Sequence, residues 1–257
     1  MKSWLAALSL LLAVLAPGGA RAADRPLVAA AADLQFTLPG IAAAFEKKTG
    51  RSVRLTFGAS GALTQQILSG APYEVFLSAD ESHVARLAAA GRTEGPGVLY
   101  GVGRIGIFAP KGSPIRADAD LKGLAAALKA GRVQRFAIAN PAHAPYGRAA
   151  QAALERAGLW TAIRPRLVLG ENVSQATQFA ASGAAQGGII PLSLALAPPA
   201  KAAGTFVLLP ADWHPPLRQR AVVLRGASPT ARAFHAFLQE PEARAAFARN
   251  GFTLPAR

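Results

Sequence analysis

The sequence contains no cysteine, which excludes disulfide frameworks, thiolate zinc sites, iron–sulfur clusters and a cysteine nucleophile. Histidine is scarce. His83, His143, His214 and His235 are scattered and never reach the i, i+4 spacing of a helical metal site, so no metal centre is expected. Acidic residues are few, 14 against 28 Lys and Arg. Disorder is also excluded, because 51% of the 257 residues are hydrophobic, enough for one large or two small domains.

Long apolar runs are missing too. The longest, Leu5 to Ala16, falls well short of the ~20 residues of a membrane span. It follows Lys2, is broken by Pro17-Gly18-Gly19 and precedes Ala20-Arg21-Ala22, an A-x-A cleavage pattern. Residues 1–22 are therefore expected to be a cleaved signal, and the mature protein soluble, exported and monomeric. Losing Lys2 and Arg21 lowers the formal charge from +14 by two, to +12. The basic residues are dispersed and do not interleave with aromatics, so nucleic acid is not an expected partner. A small anion is.

From Leu27 onward, short apolar runs alternate with amphipathic stretches, which predicts an α/β architecture. Strands are expected at Leu27–Ala32, Val53–Gly58, Tyr73–Ser78, Arg104–Ala109, Arg135–Ala139, Arg166–Leu169, Gly187–Pro191, Phe206–Pro210 and Gln219–Arg225. Helices are expected over Leu34–Lys48, Ser60–Ser69, Glu81–Ala90, Gly147–Ala157, Val173–Ser182, Pro229–Leu238 and Ala243–Arg249. Two α/β groups with late strands returning to the first predict two lobes: 23–107 with 222–257, and 108–221. The hinge is expected in the strands near Arg104–Ala109 and Gln219–Arg225.

Four strand-to-helix junctions are rich in small or hydroxyl residues: Ala32-Asp33, Ala59-Ser60-Gly61, Ala144-Pro145-Tyr146-Gly147 and Glu171-Asn172-Val173-Ser174. Each precedes a predicted helix and so presents free backbone N–H groups at a positive dipole end. Converging at the carboxyl ends of strands, such junctions make an anion site without Arg or Lys. Taken singly they also read as ordinary caps, with Asp33, Ser60 and Asn172 as N-caps and Asn172 with Gln175 as a capping box.

These junctions, the block Gly70-Ala71-Pro72-Tyr73-Glu74-Val75-Phe76-Leu77-Ser78-Ala79-Asp80, Asn140-Pro141 and the closing Gly251-Phe252 occur in an order that resembles the periplasmic molybdate-binding proteins of ABC importers. The resemblance runs from Leu27 to Phe252. It implies a two-lobed type II periplasmic binding protein fold, each lobe a mixed sheet flanked by helices, with the ligand cleft between them. It further implies a substrate-binding protein, not an enzyme, that holds molybdate or tungstate by hydrogen bonds, needs no cofactor and delivers to an inner-membrane permease. The residues it points to are Ala32, Asp33, Ser60 (hydroxyl and N–H), Tyr146 and Val173 (N–H only).

Two positions depart from that pattern. Many relatives carry a neutral residue where Asp33 stands; the carboxylate is expected to turn away as a helix N-cap, leaving only its N–H at the ligand. Were it to face the cleft, it could accept the proton of a protonated anion and favour such an anion instead. Others have a Tyr donor after the strand that here ends at Pro191, and Tyr146 is expected to replace it. The competing readings are a secreted serine hydrolase with Ser60 as nucleophile, followed in order by Asp212 and His214 or His235, and a binding protein for sulfate or a protonated phosphate. Gly101-Val102-Gly103-Arg104-Ile105-Gly106 matches G-x-G-x-x-G, but a strand rather than a helix is expected after it. Trp213-His214-Pro215-Pro216 reads as a surface loop, and Tyr100 as core or hinge packing.

Overall fold

A computed structural model describes residues 25–255; the signal expected over residues 1–22 lies outside them. The strands are β1 (Leu27–Ala31), β2 (Arg54–Gly58), β3 (Tyr73–Ser78), β4 (Val98–Gly103), β5 (Ile105–Pro110), β6 (Phe136–Ala139), β7 (Leu167–Gly170), β8 (Gly188–Pro191), β9 (Gly204–Leu208) and β10 (Leu217–Val223). They form two five-stranded sheets of orders β2-β1-β3-β10-β4 and β7-β6-β8-β5-β9. In each sheet three strands run parallel, and a strand inserted beside them runs antiparallel to both its neighbours. With helices packed on these sheets, this is the two-lobed type II binding protein fold.

The helices form largely where small and apolar residues recur at helical spacing, and local chemistry sets their ends. Asp80 accepts from the Ser82 N–H at 2.8 Å and starts Glu81–Ala89; Asn172 accepts from the N–H groups of Ser174 and Gln175 and starts Val173–Ala181. The Asn172–Gln175 box is displaced by one residue, since Gln175 Oε1 accepts from the Glu171 N–H instead. The helix expected from Leu34 begins only at Leu38 and runs to Thr49, because Pro39 lacks an N–H and fits only a first helical turn. Ala32–Leu34 instead form a short 3₁₀ turn.

Strand β4 and the helix Lys122–Lys129 are elements that the sequence pattern does not signal. In β4, Gly101 and Gly103 weaken the strand signal, yet both are needed. A Cβ on Gly101 would meet Phe252 at 3.1 Å, and one on Gly103 would meet the Tyr146 hydroxyl at 2.2 Å. The G-x-G-x-x-G segment is thus the end of one strand and the start of another, with no helix after it.

Only Arg104 separates β4 from β5, although the two strands belong to different sheets. The return crossing is 209–216, between β9 and β10. The boundaries expected at 107/108 and 221/222 lie within β5 and β10; of the strands expected to hold the hinge, 105–109 and 219–223 each pair within one sheet, while Arg104 joins β4 to β5. The two connectors touch, since Arg104 donates to the Leu209 carbonyl at 3.0 Å and the Leu209 N–H to Ile105 at 3.1 Å.

The helices Pro229–Phe237 and Pro241–Arg249 return to the first sheet. Phe45, Phe234, Phe237, Tyr100, Phe247 and Phe252 build an aromatic core there, with Tyr100 and Phe247 5.0 Å apart.

Candidate functional site

The four junctions meet. Between the lobes lies a small cavity, walled by Ala31–Asp33, Gly58–Ser60 and Ala79 from the first lobe and by Ala144–Tyr146 and Val173 from the second. Ala32, Asp33, Ser60, Tyr146 and Val173 all line it, and each is at most 4% exposed. A wider groove nearby, beside Phe36 and the 173–181 helix, has no charged side chain in its wall.

Small residues let the backbones come this close, and each helix start leaves donors unspent. The N–H groups of Ser60, Tyr146 and Val173 lie in the first turns of helices and have no acceptor among the described residues. The Asp33 N–H meets nothing beyond its own carboxylate. Ser60 is not an N-cap; that place belongs to Ala59. Its Oγ accepts from the Ala79 N–H at 3.0 Å, which leaves the hydroxyl proton free to donate.

The structure corrects two expectations. Asp33 caps no helix. Its Oδ2 accepts from the Tyr146 hydroxyl at 2.8 Å and from Gln219 Nε2 at 2.7 Å, while Oδ1 is buried without a partner. Burial pushes the Asp33 carboxyl up to about 6, against the opposing pull of the Gln219 and Tyr146 hydrogen bonds. The Tyr146 hydroxyl is likewise committed to Asp33, so it does not replace a Tyr donor at Pro191; the N–H of Tyr146 is the group left over. Burial first, then the charge of Asp33, raises the Tyr146 and Tyr100 hydroxyls well above the usual phenol range.

Gln219 is the residue that sequence reasoning missed. Fully buried on β10, it donates to Asp33 and to the Tyr146 oxygen (2.9 Å) and accepts from the Tyr100 hydroxyl at 2.6 Å. The signal was present: Leu217, Gln219 and Ala221 alternate inward between Arg218 and Arg220, so an amide stands at a core-facing position. Such a group must find partners inside. Tyr100, read as packing, is one of them.

The lobes also touch around the rim. The Gly61 N–H donates to the His143 carbonyl at 3.0 Å, Ser193 Oγ to the Asp33 carbonyl at 2.9 Å, and Arg148 pairs with Asp80 at 2.7 Å. Ser174 hydrogen-bonds Gln35.

The arrangement does not support hydrolysis. The His214 ring is bonded to the Pro215 carbonyl and the His235 ring to the Ala221 carbonyl, and no histidine ring bonds Ser60 among the described residues. His214 is also buried, contrary to the surface loop expected there, and burial holds its ring below the ordinary imidazole range. No cluster of three or more metal-ligating side chains occurs among the described residues.

Comparison with known proteins gives consistent matches. Residues 26–253 match the family described as bacterial extracellular solute-binding proteins. The chain is 38% identical over 230 residues to the molybdate-binding protein ModA of Rhodobacter capsulatus, covering 88% of this chain and 87% of that one. It is 36% identical to ModA of Azotobacter vinelandii, covering 88% and 89%. The solved structure of the Azotobacter vinelandii periplasmic molybdate-binding protein superposes with a TM-score of 0.81 at 32% identity, covering 90% of this chain and all of that one.

Proposed function

The chain belongs to the bacterial extracellular solute-binding proteins, and from that premise we propose that it captures molybdate in the interlobe cavity and hands it to an ABC permease in the membrane. The relatives named for molybdate binding support the cargo. One structural observation carries the site: unspent N–H groups of Ser60, Tyr146 and Val173, with the Ser60 hydroxyl and the Asp33 N–H that otherwise meets only its own carboxylate, belong to residues lining one small buried cavity that no Arg, Lys or His lines among the described residues.

Neutral donors suit a tetrahedral oxyanion. Each N–H is fixed by its helix, so little ordering entropy is lost on binding, and hydrogen bonds to an ionised acceptor are about twice as strong as neutral ones. Three of these donors come from the first lobe and two, the N–H groups of Tyr146 and Val173, from the second. An open form therefore offers the anion only part of its shell, and closure about Arg104 and 209–216 completes it and expels water. The small cavity selects by size, and tungstate, of the same shape and charge, is expected to compete. The protein binds and does not catalyse; its place is the exported compartment, where an apo form awaits cargo.

Thermal unfolding with molybdate, tungstate, sulfate and phosphate tests the reading. Ligand at 1,000 times its dissociation constant adds about 4 kcal/mol, roughly 8–16 °C for a chain of this size. A shift with molybdate and tungstate is expected; no shift with any of the four would refute the assignment. In the same assay Ser60→Ala should weaken molybdate binding by about 1–3 kcal/mol, or on the order of 5- to 150-fold, the scale of a donor lost to a charged acceptor. Unchanged affinity would place the ligand elsewhere.

A further inference from the structure

The cavity just described holds one ionisable carboxyl, where a negative charge opposes an anion. The two oxygens of Asp33 differ. Oδ2 already faces two donors, Tyr146 and Gln219, whereas Oδ1 is buried and meets no protein group. A proton on this carboxyl therefore belongs on Oδ1. Protonated, Oδ1 adds a donor to the set of N–H groups; ionised, it is an acceptor with nothing to accept from.

Among the described residues no cation offsets the charge of Asp33. The 173–181 and 192–195 helices that pack on Ala32–Leu34 carry no ionisable side chain, nor does the 60–68 helix. Arg54 of β2 is exposed. On β10, Arg218 and Arg220 pair with Glu81, while Arg148 of the 145–156 helix pairs with Asp80. Arg104 donates to Leu209, and the His143 ring turns to the Glu171 carbonyl at 2.8 Å and its carboxylate at 3.5 Å. The remaining titratable neighbours, Tyr146 and Tyr100, stay neutral hydroxyls.

Resting on the oxyanion reading above, we propose that Asp33 is a specificity-determining residue that binds, as the neutral acid, a tetrahedral dianion bearing no proton, so that each such dianion captured takes up one proton. The carboxylate gains a proton from solvent on Oδ1 and donates it as a hydrogen bond to an oxygen of the anion; no covalent bond to the anion forms. Burial already favours that acid, with the carboxyl at about 6 before any anion arrives. Above that value affinity for a dianion falls about tenfold per pH unit, and below it the dependence flattens. A site built this way binds its dianion more tightly in mildly acidic surroundings and loosens its hold as the pH rises.

The test is calorimetric titration of the protein with molybdate and sulfate between pH 6.5 and 8.5, in buffers of different ionisation enthalpy. The dissociation constant of whichever dianion binds should rise about tenfold per pH unit, with close to one proton taken up per anion. This measurement needs no variant. Asp33→Asn supplies a neutral N–H donor, and should bind without pH dependence or proton uptake, about 100-fold more tightly than the parent at pH 8. His143→Gln should keep the slope, since its ring faces Glu171. Hydrogen phosphate carries its own proton, and any binding of it should proceed without uptake. PH-independent dianion binding by the parent protein, or a slope that survives Asp33→Asn, would overturn the proposal while leaving the oxyanion site standing. Failure of both proteins to bind any of these anions would overturn the two together.

Discussion

Gly61→Val is expected to abolish tight anion binding while leaving the unliganded fold intact. A Cβ at this position would sit 2.6 Å from the His143 carbonyl oxygen and 3.1 Å from its Cα, and the nearest atoms it meets all belong to His143. The nearest obstruction therefore lies across the cleft. Within its own lobe Gly61 is the second residue of the 60–68 helix, with ordinary helical backbone, and helix propensity slightly favours valine over glycine there. With the lobes held apart, the N–H groups of Tyr146 and Val173 no longer reach an anion held at Ser60. Two hydrogen bonds to a charged acceptor are lost, about 3–6 kcal/mol, or on the order of 10²- to 10⁴-fold in affinity. Titration of the variant beside an unfolding curve of its apo form separates the effects. Near-parental affinity would mean that the anion is held by one lobe alone.

Phe247→Ala is expected to cost about 3–5 kcal/mol of stability, the range for emptying a buried aromatic site. Phe247 is fully buried and stacks at a tilt on Tyr100 at 5.0 Å and edge-on to Phe252 at 5.8 Å. These rings hold the last helix on the first sheet, together with the bridge between Val102 and Thr253. The unfolding midpoint should drop by roughly 6–20 °C, at 2–4 °C per kcal/mol for a chain of this size. A loss under about 1 kcal/mol would show that the C-terminal helix does not share the cooperative core of its lobe. Since Tyr100 also orients Gln219, the same variant loosens the Asp33 network from behind.

Local chemistry explains why so much of the fold could be read in advance. Apolar runs such as Leu27–Ala31 and Tyr73–Ser78, the cap Asn172, and Gly50 at φ 69° ending the first long helix act through neighbours within a few residues. The candidate anion residues were legible for the same reason: a small residue ahead of a helix leaves an unspent N–H wherever the chain later places it. Elements without such local marks were not legible. Strand β4 carries two glycines whose justification is the approach of Phe252 and Tyr146 from far along the chain.

The sequence by itself determined the α/β class, most of the strands and helices, and three helix starts from which, with the turn at Ala32–Leu34, a neutral-donor anion site can be built. Tertiary structure alone decided where the sheets part, at Arg104 and 209–216, because strand pairing is a long-range choice. It also decided the state of Asp33. A carboxylate ahead of a helix reads locally as a cap; its raised pKa comes from burial beneath a second lobe, and its partners, Tyr146 and Gln219, lie 113 and 186 residues away. Desolvation and hydrogen bonding act through space, and no spacing along the chain encodes which groups will share one buried cavity.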